Sequence, residues 1–273
     1  MFKDVIIGQY IEGNSFIHRM DPKMKLILTF LYMILLFTIS SVYSYAVVTV
    51  FTLFFVMICS VPLKLILKGL KPMFFILLFT AVMNLLLTDG EPVFEFSVFG
   101  KWDLSVTKEG IKTAVLMVVR LMYLLIGTSV LTLTTTPLKL TDGIERLLNP
   151  LKKIKVPAHE IAMMMSIALR FIPTLADETD KIIKAQSARG ADFDSGGLIK
   201  KAKAMIPILV PLFVSAFRRA DELATAMEAR CYHGGEGRTK MNESHVGKAD
   251  MKAFVVFIAI VLVIIIIEVG VRL

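Results

Sequence analysis

The sequence predicts an all-α integral membrane protein of five transmembrane helices, with a cytoplasmic helical domain inserted between spans 4 and 5. Three observations lead there. Of the 273 residues, 56% are apolar, against roughly 45–50% in soluble domains, and the mean hydropathy is +0.71. The apolar residues are gathered in blocks long enough for a bilayer. The basic residues, finally, fall in alternate connections between these blocks, as the positive-inside rule requires.

The N-terminal segment is polar up to Lys25, and no A-x-A site follows the first apolar block, so no removable signal peptide is expected. "HRMDPKMKL" opens the first span: Asp21 is placed to N-cap, and Pro22 suits the first helical position, where a missing N–H costs nothing. From Leu26 to Leu63 there is no charged residue. Those 38 residues would measure about 57 Å as helix, nearly twice a hydrocarbon core of roughly 30 Å. The polar cluster "SSVYSY" (Ser40–Tyr45) near the middle therefore marks a tight turn between spans 1 and 2. Span 3 runs from Pro72 to about Thr88. Span 4 lies between Lys112 and Lys139 and carries Arg120, and span 5 is Ala253 to about Ile267 with Glu268 at its end. The chain divides into residues 1–138 with four spans, a cytoplasmic domain 139–250, and a C-terminal span region 251–273.

Charge orients these spans. Lys3, Arg19, Lys23 and Lys25 precede span 1, and Lys64, Lys68 and Lys71 belong to the segment after span 2, which reads as a loop. The connection between spans 3 and 4, "TDGEPVFEFSVFGKWDLSVTKEG", reads as a loop with five acidic residues against two lysines. Residues 139–252 hold 19 of the 31 Lys and Arg. An inside N-terminus puts every basic region in the cytoplasm, the acidic loop outside, and the C-terminus outside. The net charge of +8 is then mostly a topology signal. Nucleic-acid binding is disfavoured, because the basic residues of 139–252 alternate with 14 acidic ones.

Within the cytoplasmic segment, "TTTPLKLTDGIERLLNPLKKIKVP" predicts a short amphipathic helix with Leu140, Ile144, Leu147, Leu148 and Leu151 on one face. Two long helices follow, His159–Arg189 and about Lys200–Arg230. Each begins apolar and ends charged, and their apolar runs are too short to span. Pro173, Pro207 and Pro211 are expected to kink them. Their ends echo each other: "ADETDKIIKAQSAR" and "ADELATAMEAR" both open Ala-Asp-Glu and close Ala-Arg. Gly190 after the first is a natural helix-terminating residue, because it lacks the Cβ that opposes the left-handed conformation. An arginine there also faces the negative end of the helix dipole, worth about 0.3–1 kcal/mol.

Chemistry-bearing motifs are absent. "GGEGRTK" (Gly234–Lys240) lacks the Walker A spacing, and no HExxH, GxSxG or intramembrane carboxylate pair occurs. His233 with Cys231 falls short of a zinc site. Cys59 and Cys231 form neither a CxxC pair nor a disulfide framework. No catalytic residue, cofactor or metal is therefore expected. Arg120 and Glu268, the two ionisable residues placed inside spans, either pair at similar depth or reach separate interfaces. The sixteen methionines, including Met163–Met165, suit packing and also a surface that accepts varied partners.

"SFIHRMDPKMKL" (Ser15–Leu26), "IALRFIPTLADETDKIIKAQSARGADF" (Ile167–Phe193) and "MEARCYHGG" (Met227–Gly235) resemble the transmembrane T component of energy-coupling factor transporters, micronutrient importers of the ATP-binding-cassette class. The resemblance covers essentially the whole chain. It implies a complex with two ABC ATPase subunits and a separate substrate-binding membrane subunit for a vitamin or metal, in the cell membrane. It also implies that two coupling helices each end in an Ala-Arg-Gly motif that docks on one ATPase. The first copy is intact as Ala188-Arg189-Gly190. The second departs as Ala229-Arg230-Cys231, which makes the arginine the essential element there. A conventional permease subunit with its own substrate path is the alternative; it would need inward polar groups in several spans, and only Arg120 and Glu268 qualify. A membrane enzyme would need a catalytic constellation that the sequence lacks.

Overall fold

The computed structural model describes residues 10–59, 61–98, 102–191, 193, 197–234 and 245–272. Of the loop "GGEGRTK", residues 235–240 lie outside the described residues. The order is α1 (Phe16–Arg19), α2 (Pro22–Thr38), α3 (Val42–Ile58), α4 (Leu63–Leu70), α5 (Phe74–Leu87), β1 (Pro92–Val98), β2 (Trp102–Thr107), α6 (Lys108–Thr134), α7 (Pro137–Leu148), α8 (Ala158–Ala188), α9 (Leu198–Ala229) and α10 (Lys248–Arg272). Two compact units result, and their boundary in the chain falls within α7: residues 8–143 with 244–273 form one, and residues 144–243 belong to the other.

In the first unit, Asp21 caps α2 by accepting the Lys23 N–H at 2.9 Å, with Pro22 at the first helical position. The polar cluster breaks the long apolar run into α2 and α3, each of 17 residues, about 25 Å long. Three helical stretches are long and apolar enough to cross a membrane: 64–87, 108–134 and 248–271. The last two of these meet α2 and α3 in a core of Tyr32, Leu36, Ile39, Val48, Phe257 and Ile264, with Leu116, Val119 and Tyr123 of α6 packed against it.

Two connections differ from the sequence reading. The segment after span 2 is helical: α4 continues through a 3-10 turn at Lys71–Met73 into α5. Pro72 is tolerated because it sits at the start of that turn, where a proline's missing donor breaks no bond. Lys64, Lys68 and Lys71 recur at helical spacing and are exposed, while Ile66 and Leu70 are buried. The acidic connection is an antiparallel hairpin, pairing Phe94 with Val106, Phe96 with Leu104 and Val98 with Trp102. Alternation of apolar with polar residues at period two, as in Phe94-Glu95-Phe96-Ser97-Val98, is the strand signal in that segment.

Buried polar residues tie the ends of the helices together. Lys25 Nζ donates to the Thr134 carbonyl at 2.9 Å and to Thr135 Oγ1 at 3.2 Å, capping the C-terminal end of α6 with a cation. Asp250 accepts the Asp21 N–H at 3.3 Å and the Gly247 N–H at 2.9 Å, which joins the start of α10 to that of α2. At the far end of α2, Glu268 accepts the Ser40 and Ser41 N–H groups at 3.1 and 3.2 Å and the Ser44 hydroxyl at 2.9 Å. Arg120 reaches the same turn, donating to the Ile39 carbonyl at 2.6 Å and to Tyr45 Oη at 2.8 Å. The intramembrane charges thus both bind the α2–α3 turn, one satisfying its donors and the other its acceptors.

Candidate functional site

The second unit contains every residue singled out for docking. Its two long helices, α8 and α9, run unbroken for 31 and 32 residues across Pro173, Pro207 and Pro211. They meet through Ile167, Phe171 and Leu175 of α8 and a stripe of Ala216, Ala220 and Ala224 on α9. Alanines four apart share a helix face and allow close approach. A cavity of about 270 Å³ remains between the helices, lined also by Leu223, Met227 and Arg219. At its edge Arg219 Nη2 donates to Glu178 Oε2 at 2.6 Å, both side chains about a quarter exposed. Arg219 Nη1 is buried and finds no hydrogen-bond partner among the described residues.

The two helix ends are built alike. Ala188 is the last residue of α8, Arg189 its cap, and Gly190 is left-handed at φ 87°. The Gly190 N–H donates to the Ser187 carbonyl and the Ala191 N–H to that of Gln186, both at 3.0 Å. At α9 the sequence Ala229-Arg230-Cys231 repeats the geometry: Cys231 is left-handed at φ 57°. Its N–H donates to the Glu228 carbonyl at 2.9 Å, and the Tyr232 N–H to that of Met227 at 3.0 Å. Both are Schellman terminations, with the paired 6→1 and 5→2 bonds that define the motif. Left-handed backbone costs a side-chain-bearing residue roughly 1–2 kcal/mol, so the second end keeps the shape without the glycine. All six residues, Ala188, Arg189, Gly190, Ala229, Arg230 and Cys231, are exposed.

Sequence reading missed the Glu178–Arg219 pair. Arg189 stands eleven residues beyond Glu178, and Arg230 eleven beyond Arg219, about 16 Å of helix in each case. The contact therefore joins equivalent positions of two echoing helices, and each projects an arginine at equal distance from it. That shared spacing, counted back from the two Ala-Arg pairs, is the signal that would have found the pair.

The apolar start of α9 carries no partner in its own unit sufficient to bury it. Met205, Ile206, Val210, Phe213 and Phe217 are each more than half exposed, as is Met164 on α8. Near the start of α8, His159 Nδ1 and Glu145 Oε1 are 3.0 Å apart. Among the described residues no group of three or more His, Cys, Asp or Glu is arranged to hold a metal ion.

Comparison with known proteins gives a consistent result. A family model described as "CbiQ: Cobalt transport protein" matches residues 13–241. The chain is 56% identical over 251 residues to the energy-coupling factor transporter transmembrane protein EcfT of Ruminiclostridium cellulolyticum, covering 92% of each. It is 56% identical over 256 residues to that of Clostridium kluyveri, covering 93% of each. With that of Bacillus subtilis the identity is 52% over 241 residues, 88% of this chain and 89% of the relative.

Proposed function

This chain belongs to the family of energy-coupling factor transporter transmembrane proteins, and on that premise we propose that it is the scaffold through which two ABC ATPases drive uptake by a separate substrate-binding membrane subunit. Residues 1–138 and 251–273 form the membrane region with five spans, N-terminus inside and C-terminus outside. Residues 139–250 form the cytoplasmic coupling domain. ATP hydrolysis resides in the partner subunits, and the cargo is a vitamin or metal ion.

The observation that carries this reading is the pair of matched helix ends. Two exposed arginines, each on the same rigid termination and equally far from the Glu178–Arg219 contact, suit two copies of one kind of partner. Guanidinium is planar, permanently charged and able to make bidentate contacts with carboxylates in a groove. Helices fixed at one contact and held at their tips by two ATPases would turn closure of those ATPases into shear. The exposed apolar start of α9 supplies a surface for the substrate-binding subunit. The permease alternative loses its two polar groups, because Arg120 and Glu268 are both engaged by the α2–α3 turn.

The test is ATPase co-purification and vitamin uptake for Arg189→Ala, Arg230→Ala and the double variant. Docking predicts a loss of roughly 2–5 kcal/mol per arginine, because partner carboxylates are stranded, and a poor response to Arg189→Lys. Capping alone predicts no more than about 1 kcal/mol and near-normal transport. Gly190→Ala serves as the control for helix-end stability. Normal uptake in the double variant overturns the proposal.

A further inference from the structure

A second feature lies in the membrane unit and takes no part in ATPase docking. A cavity of about 290 Å³ is enclosed by α1, α2, α3, α6 and α10. It runs from Phe16, Lys25 and Lys252 at the basic end to Tyr32 and Gly127 deeper in the bundle. Gly127 has no side chain to fill it; a Cβ there would already stand 2.9 Å from the Tyr32 ring. The polar atoms of the inner wall satisfy each other, since Tyr32 Oη and Thr52 Oγ1 are hydrogen-bonded at 2.8 Å. Among the lining residues Phe54 is 60% and Val256 56% exposed. The cavity therefore opens sideways on faces of α3 and α10 that meet hydrocarbon in a bilayer.

We propose that this cavity holds one acyl chain of an anionic phospholipid, with the phosphate of its head group on Lys252. Shape, polarity and charge select that occupant. An apolar cavity does not retain water, and if empty its lining forfeits dispersion contacts that a hydrocarbon chain restores. A polypeptide helix, roughly 10–12 Å across, is too wide for it, and an extended peptide would bring backbone groups with no partners. The lining includes two lysines and no carboxylate. Lys25 is buried and already donates to Thr134 and Thr135, so Lys252, exposed four residues into α10, is the amine left at the rim. An anionic head group at that depth meets a cation, and a zwitterionic one gains less.

Native mass spectrometry of the full chain, released from bicelles of equal phosphatidylglycerol and phosphatidylcholine, reads the retained lipid directly. The native protein is expected to retain phosphatidylglycerol in preference. Lys252→Ala should lower that preference about fivefold, the effect of one lysine at an anionic surface, and Lys252→Glu should abolish it. Lys112→Ala, exposed near the start of α6 and far from the cavity at that helix's other end, should change nothing. Leu131→Trp, which fills the cavity, should lower retention of both lipids. Lys252 is exposed, so its variants fold whatever the fate of the tryptophan variant. Equal retention of the two lipids by the native chain, or an unchanged preference in Lys252→Ala, overturns the proposal. So does a folded Leu131→Trp protein that keeps its lipid.

Discussion

Cys231 occupies a conformation that the first helix end gives to Gly190. With φ at 57° it bears a cost that glycine avoids. Cys231→Gly is expected to raise the stability of the α9 terminus by roughly 1 kcal/mol, read as slower amide exchange at Tyr232, with ATPase binding retained. His18 shows the opposite economy. Its Nδ1 lies 2.6 Å from Ser15 Oγ and its Nε2 3.1 Å from the Ile11 carbonyl, an arrangement that fits the neutral ring with Nε2–H donating. Burial holds its pKa below the ordinary 6.5, opposed by the Ile11 bond and aided by Lys25 and Lys139. The unfolded chain therefore binds the proton first. Stability from this group is complete above pH 6.5 and is lost as pH falls below it. Thermal melts against pH should show that decline, and His18→Asn should flatten it.

The α2–α3 turn is the element on which intramembrane charge is concentrated. The turn buries Ile39 and Ser41, so its backbone N–H and C=O groups must find partners within the protein. Glu268 accepts from two of its N–H groups, and Arg120 takes the Ile39 carbonyl. Glu268→Ala strands those donors and should cost about 2–4 kcal/mol; Arg120→Leu should cost a similar amount. Both act on one turn, so the double variant should lose less than the sum of the singles. Additive losses in thermal denaturation would mean that the two ends of the turn form independently. The equal arms of α8 and α9 belong to this scale too: one contact at Glu178 and Arg219 fixes where both helices are held, and the alanine stripe fixes how close they lie.

For the whole molecule, the proposed orientation rests on charge. The connection that contains the hairpin has five acidic residues against two lysines, and residues 139–252 hold 19 of the 31 Lys and Arg. A cysteine replacing exposed Asp89, in the turn after α5, should react with an impermeant thiol reagent from outside. One replacing exposed Lys200, at the start of α9, should react only after permeabilisation. The reverse pattern would overturn the five-span arrangement.

Much of this protein was determined by sequence alone, through features that act locally. Uncharged runs set the helices, Asp21-Pro22 the start of α2, and Gly190 the end of α8, because helix geometry needs only residues a turn apart. The family was likewise readable from contiguous motifs. The hairpin was also a local signal, written at period two in a segment first read as loop. Tertiary structure alone decided the rest. Nothing near Glu268 in the chain points to Ser40, Ser41 and Ser44, more than two hundred residues away. Nor could the sequence choose between pairing Arg120 with Glu268 and binding each to one turn, since both satisfy buried charge. The Glu178–Arg219 contact and the lipid-facing cavity are of the same kind: they exist only where packed helices bring distant side chains, or leave them, at a particular distance.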